Sequence, residues 1–374
     1  MLALRGGADL VALWAQISSL TEVVAGVALA GLGTGLTVYV ARTSHIERQR
    51  ELLREAFKIG LVVAAPFAVA AAGAGYFFNE ALTGDRLGPR IVALAAAVGW
   101  VGVLPGLVGS LWQGQQRREL LLGFAAVSAA LSLAAAAVVP DGGIIIALLV
   151  AQAIPAVVVV FIAHPSDTAG RFRSRSHPLR RYVLPSIAIG LLSPGSALVA
   201  RAAVGDALSW HDAGVMQALW RLSDWVSSFA AGALSFYFLP QLAAAGQGER
   251  FRAVLRTAAK ATLVPAALVL GAFCLLQDRL LGILYSDEFR ASDLTAMLVF
   301  VGGWVRIASW VALFGLYAQR RTIALTVGEF LSLPLFAALA LAAGERLTLE
   351  LVGVFWLLSY CAYLAFNWWA VRRA

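Results

Sequence analysis

The chain has 374 residues, of which 60% are hydrophobic and 13% charged, and its mean hydropathy is +0.81; a soluble core cannot use that much apolar side chain, so lipid is the solvent for most of it. Two cysteines in apolar runs (Cys274, Cys361) and four scattered histidines (His45, His164, His177, His211) exclude a disulfide framework, a metal site and a catalytic triad, so no cofactor and no enzymatic chemistry are expected. The net charge of +8 points to nucleic acid only until the positions of the basic residues are considered.

Hydrophobic windows predict eleven membrane spans, at 10–41, 57–78, 91–112, 120–139, 143–163, 182–204, 213–240, 261–277, 294–318, 322–343 and 349–371. The first contains AGLGTGLTVYVAR, residues 30–42, whose GxGxG core is that of a nucleotide-binding loop. The residues before it, EVVAGVALA, carry one charge, and the apolar run continues through Val40, so Gly31, Gly33 and Gly35 lie inside a membrane helix. There they serve either as a hinge or as a packing face.

Eleven spans create two sets of loops. One holds twenty of the twenty-nine basic residues, from Arg42 and the Arg48–Lys58 segment to Arg372 and Arg373, and the other holds six. That asymmetry places the first set, and the C-terminus, in the cytoplasm. The basic character is therefore topology, and no nucleic-acid partner is expected. The longest loop on the opposite side, between Gln277 and Ser292, has no room for a folded domain or an extramembrane active site.

An internal repeat organises the chain. ERQRELLREAFKIGLV from Glu47 and ERFRAVLRTAAKATLV from Glu249 match without a gap at nine of sixteen positions, among them Arg48/Arg250, Arg54/Arg256, Ala56/Ala258 and Lys58/Lys260. TVYV ending at Val40 is echoed by SFYF ending at Phe238. Each copy reads as a helix entering the cytoplasm, an amphipathic basic elbow and a return helix. The expected organisation is an N-terminal lobe of five spans (1–163), a basic cytoplasmic linker HPSDTAGRFRSRSHPLRR (164–181) and a C-terminal lobe of six (182–374). Tyr237 lies 55 residues after Tyr182, whereas Tyr39 has only 38 residues ahead of it. The first lobe is thus short by about one helix, and a true start upstream of the recorded one, or a truncation, is expected. The fold class is all-α integral membrane: two like-oriented helix bundles of a twelve-helix transporter, its first helix missing.

Ionisable residues within spans are costly and mark cavities or buried pairs. They are Glu22, Arg201, Arg221, Asp224, Arg306 and Glu329. In the span from 213, Gly214, Gln217, Arg221, Asp224, Ser228 and Ser235 recur at spacings of 3, 4, 3, 4 and 7, which places them on one face. That stripe is either a lumen wall or a seam held by an Arg221–Asp224 pair. Arg306, near the middle of LVFVGGWVRIASWVALFG, is a substrate contact or the partner of Glu22 or Glu329. Arg201, close to the end of its span, binds substrate or snorkels. Glu22, Glu329 and Asp224 are coupling carboxylates or counterions. Guanidinium groups suit a phosphate or diphosphate, which they bind bidentately. Pro185 and Pro194, with Gly190 and Gly195, make the span from 182 bendable.

WAQISSLTEVVAGVALAGLGTGLTVYVAR resembles the second helix of the Wzx-type polysaccharide flippases, in the multidrug/oligosaccharidyl-lipid/polysaccharide exporter superfamily. LSWHDAGVMQALWRLSDWVSSFAAGALSFYFLPQL is similar to the eighth helix of the enterobacterial-common-antigen lipid III branch, through Trp210, Asp212, Gly214, Gln217, Ser223, Asp224, Tyr237, Leu239 and Pro240. The region from Leu298 to Leu333 also matches, with a basic residue at Arg306 and an acid at Glu329. The resemblance begins just after the family's first helix. It implies translocation of an undecaprenyl-diphosphate-linked oligosaccharide to the periplasmic leaflet of the bacterial inner membrane. It also implies a cationic cavity that takes Arg201, Arg221, Gln217 and Arg306, with polysaccharide polymerase and chain-length proteins as partners. The chain departs from the pattern at Val38, where a lysine is common, and neither Glu22 nor Arg221 matches that branch. A drug/cation antiporter of the same superfamily would depend on Glu22 or Asp224 instead, and a glycan polymerase or ligase would need a sizeable periplasmic loop.

Overall fold

The computed structural model describes residues 2–41, 43, 45–163, 179–180, 183–319 and 321–373, so the expected linker at 164–181 lies outside the described residues apart from 179 and 180. The described elements are helical: α1 (Leu2–Ala41), α2 (Ile46–Phe77), α3 (Asn79–Thr83), α4 (Pro89–Gly114), α5 (Arg118–Val138), α6 (Ile144–Ala163), α7 (Val183–Ala207), α8 (Trp210–Ala233), α9 (Leu239–Ala245), α10 (Glu249–Leu275), α11 (Gln277–Leu284), α12 (Asp293–Ala318), α13 (Thr322–Phe330), α14 (Leu333–Ala343) and α15 (Leu349–Arg372). Among the described residues, eight helical segments are long and apolar enough to cross a membrane.

Among the described residues, each expected span falls mostly on helix, and three local readings change. The basic elbows are not separate from the return helices: α2 and α10 run unbroken from elbow to membrane. Arg, Glu, Leu and Ala are good helix formers, and no glycine or proline intervenes before Gly60 in the first copy or Pro265 in the second. The span at 322–343 is two helices, α13 and α14. The end of α8 widens into a π turn, Leu234–Phe238, before α9.

The chain forms two compact units, Trp14–Leu198 and Leu2–Leu13 with Val199–Ala374. In the first, Val27, Leu32 and Leu36 of α1 pack with Leu53 and Ala56 of α2 and with Val103 and Leu107 of α4. α7 crosses α1 with backbone nearly touching backbone: a Cβ on Gly190 would overlap Gly26. Nearby, Ser186 Oγ accepts the Gly31 N–H at 2.9 Å. The glycine run is a packing face at Gly33, where a Cβ would stand 2.7 Å from Ser110 Oγ.

In the second unit α12 is the central helix and packs against α8, α10 and α15. Its core joins Leu234, Phe251, Leu255, Val311, Leu316 and Val371. Glu288 Oε1 accepts the Ala8 N–H at 3.1 Å, just after a kink at Gly6–Gly7.

The two units repeat the same packing. α2 buries Gln49, Leu53, Ala56, Gly60 and Ala64, and α10 buries Phe251, Leu255, Ala258, Thr262 and Ala266, position for position in the register that matches Glu47 to Glu249. Trp100 Nε1 donates to the Leu61 carbonyl at 2.9 Å, and Trp304 Nε1 donates to the matching Leu263 carbonyl at 3.0 Å. A Cβ on Gly99 would press on Thr21 and Val24, and one on Gly303 would press on Ser223, the residue that aligns with Thr21. The short helices α3 and α11 each follow a return helix.

Candidate functional site

α8 starts where Ser209 Oγ accepts the Asp212 N–H at 3.0 Å, which caps the first turn. Its polar stripe does not share one environment. Gly214 lies against the backbone of Ala8, and Gln217 is buried. Gln217 Oε1 accepts two hydrogen bonds from Arg201, Nε at 3.1 Å and Nη2 at 2.9 Å. Arg201 is 4% exposed, so it turns inward to α8 instead of snorkelling. Further along, Arg221 and Ser228 are exposed and Asp224 is half-buried.

The expected alternative of an Arg221–Asp224 pair is not formed. Asp224 Oδ1 instead accepts from Arg306 Nη2 at 2.7 Å, across from α12 to α8. Ser227 Oγ accepts from the same nitrogen at 2.6 Å. Arg306 therefore pairs with neither Glu22 nor Glu329. The geometry explains why: Asp224 and Ser227 sit one turn apart on α8 and face the α12 turn that carries Arg306. Three rings surround the guanidinium, whose central carbon lies 5.3 Å from the Trp310 centroid, 5.4 Å from Trp356 and 5.8 Å from Tyr360. Trp356 stacks on Trp220 at 5.2 Å. Arg306 Nε, Ser223 Oγ, Trp220 Nε1 and Trp356 Nε1 are buried and make no hydrogen bond. The second unit thus concentrates unsatisfied donors around one buried cation, a composition suited to oxyanions.

Glu329 is half-buried at the end of α13 and accepts the Tyr363 hydroxyl at 2.7 Å. Glu22 belongs to the first unit and is exposed on α1. The sequence reading missed its relation to Asp224. LTEVV from Leu20 aligns with LSDWV from Leu222 in the register of the elbow repeat, so the two acids are equivalent positions. With Trp100 matched to Trp304, Gly102 stands where the second unit has Arg306. In the connection between α11 and α12, burial pushes the Tyr285 hydroxyl above the usual phenol range, while the nearby Arg221 charge pulls it the other way.

No family model and no curated protein sequence matches the chain. Solved structures do. The chain is similar to an inward-facing multidrug resistance MATE family transporter of the MOP superfamily, at a TM-score of 0.75 and 13% identity, covering 98% of this chain and 91% of that one. It is also similar to the lipid II flippase MurJ in an inward closed conformation, at 0.74 and 11%, covering 98% and 86%. A third is a MOP superfamily transporter from Pyrococcus furiosus, described as having a binding pocket of reversed polarity, at 0.70 and 14%, covering 100% and 89%. The chain has the MATE/MurJ-like transporter fold. That fold makes the polar face of α8 and the Arg306 cage features of a multi-pass membrane protein, not of a soluble helical bundle.

Proposed function

We propose that this MATE/MurJ-like chain is a flippase that moves an undecaprenyl-diphosphate-linked oligosaccharide from the cytoplasmic to the periplasmic leaflet of the bacterial inner membrane by alternating access. The observation that carries the reading is Arg221. It lies midway along α8, is exposed, and among the described residues makes no hydrogen bond or ion pair. An arginine left against hydrocarbon at that depth costs roughly 2.5–3.5 kcal/mol or more, so this face of α8 lines an aqueous path. Its planar donors meet the diphosphate and replace part of the lost hydration.

Arg306, Arg201 and Gln217 form a second set of substrate ligands. Each is already engaged within the protein, so an oxyanion must exchange with Asp224 at Arg306, or share the Arg201–Gln217 clamp. Asp224 and Glu22 act as counterions in this scheme. The basic loops and the C-terminus face the cytoplasm, and polysaccharide polymerase and chain-length proteins receive the product. An antiporter that works through Asp224 is disfavoured because Arg306 already holds that carboxylate.

The test is the lipid-linked glycan pool in a strain deleted for the gene, with wild-type or Arg221→Ala copies restored. Undecaprenyl-diphosphate oligosaccharide should accumulate, and wild type but not the variant should clear it. An unchanged pool with no loss of surface glycan would overturn the proposal.

A further inference from the structure

Two concavities of the second unit meet at the turn from α10 to α11. The first is an apolar groove of about 560 Å³ between α10 and α12, walled by Ala267, Gly271 and Leu275 on one helix and Met297, Val301 and Trp304 on the other. From Ala267 to Leu275 is two turns, about 12 Å, against about 15 Å for half the hydrocarbon core of a bilayer. The groove is open at Gly271, where a Cβ would meet nothing within 4 Å. It therefore follows most of one leaflet.

The second concavity, about 700 Å³, is charged, with Asp278, Arg279, Asp287 and Arg290 in its wall. α11 turns Asp278 and Arg279 to this side and buries Gln277 and Leu281 on the other. Gln277 Nε2 donates to Asp293 Oδ1 at 2.6 Å, and Asp293 stands one turn before Met297 on α12. That bond sets the start of α11 over the mouth of the groove. The loop after α11 is anchored by Phe289, which is buried and lies 4.9 Å from Tyr285 between ring centroids. It returns Asp287 to α11, since a Cβ on Gly282 would stand 3.2 Å from Asp287 Oδ1. Among the described residues, the side chains of Asp278, Arg279 and Asp287 make no hydrogen bond or ion pair, and Ser286 Oγ is buried without a partner.

We propose that groove and pocket together bind one phospholipid whose headgroup ends in a primary ammonium, a phosphatidylethanolamine. An acyl chain lies between α10 and α12, the phosphate meets Arg279 and Arg290, and the ammonium meets Asp278 and Asp287. Two cations and two anions match a zwitterion, whereas an anionic headgroup leaves both carboxylates opposed to it. A primary ammonium offers those carboxylates three donors, and a choline offers none. Leu275 and Asp278 are three residues apart, at most about 11 Å, which suits the step from the hydrocarbon edge into a headgroup region about 5–7 Å deep. Binding at this site needs neither the translocation reading above nor a particular membrane topology.

The test is native mass spectrometry of the purified full chain, delipidated in detergent and then given phosphatidylethanolamine, phosphatidylcholine or phosphatidylglycerol with the same acyl chains. Wild type should retain one phosphatidylethanolamine at least about fivefold more strongly than either of the others, or ~1 kcal/mol. Arg279→Gln with Arg290→Gln should abolish that preference. Asp278→Asn with Asp287→Asn leaves the two arginines and should turn the preference to phosphatidylglycerol. Gly271→Leu fills the groove where it is open, and should weaken all three lipids without lowering the melting temperature in lipid-free detergent. Equal retention of the three lipids by wild type, the mark of annular lipid only, would overturn the proposal. So would an unchanged preference in both charge variants, or full retention by a folded Gly271→Leu.

Discussion

Asp224→Asn is the perturbation that most directly interrogates the second unit, because it leaves Arg306 charged with its nearest counter-charge removed. Breaking a fully buried pair by removing one partner costs about 3–5 kcal/mol. Here the arginine side chain is 8% exposed but the aspartate is 37% exposed, and water screening of the aspartate pulls the figure below that range. Ser227 and the three rings continue to hold the guanidinium, at roughly 0.5–1 kcal/mol for a typical cation–π contact. The expected loss is therefore about 2 kcal/mol. Arg306→Met removes the charge and keeps most of the volume, and the half-exposed Asp224 it leaves behind can be solvated. Its cost should be smaller, and the double variant should recover part of the Asp224→Asn loss. The assay is a double-mutant cycle on denaturant unfolding of the purified protein, read by tryptophan fluorescence. A coupling energy below about 0.5 kcal/mol, the ordinary scatter of independent sites, would refute the reasoning.

Other outcomes follow from the packing. Gly190→Ala should lower the melting temperature, because its Cβ overlaps the Gly26 backbone and overpacking costs about 1–3 kcal/mol. Gly73→Ala, with open space around it, should be neutral or stabilising by up to ~1 kcal/mol. Trp100→Phe and Trp304→Phe should each cost about 1 kcal/mol for one lost hydrogen bond, and unequal values by more than a factor of three would contradict the repeat. In a Cys274→Ser, Cys361→Ser background, Glu345→Cys should react with an impermeant maleimide on intact spheroplasts and Gln247→Cys only after lysis; the reverse pattern would invert the topology.

The spans were legible because twenty or so apolar residues admit few alternatives to a membrane helix. The elbow repeat was legible for a related reason: a packed face constrains the same positions in both copies, and Leu53/Leu255 and Ala56/Ala258 are buried in each. The partner of Arg306 was not legible. Three acids stood at membrane depth, and only the packing of α12 on α8 selects Asp224 over Glu22 and Glu329. The same holds for Arg201, whose position near a helix end fits snorkelling as well as it fits the buried clamp on Gln217. Two signals were present and unread. Gly328 followed by SLP at 332–334 carries the residues that interrupt a helix. The elbow register, extended upstream, would have paired Glu22 with Asp224, and a shift of two residues that matches Trp100 to Trp304 would have set Gly102 opposite Arg306.

That divergence has a simple genetic reading. Glycine codons beginning GG become arginine codons through a change of their first base, so Gly102 and Arg306 can be separated by one substitution in a duplicated gene. A new arginine in a membrane interior is ordinarily purged. Here both halves carry an acid at the aligned position, Glu22 and Asp224, so a counter-charge for such an arginine stands in each. Such a scaffold can hold a paired arginine in one half while the matching position of the other carries no charge.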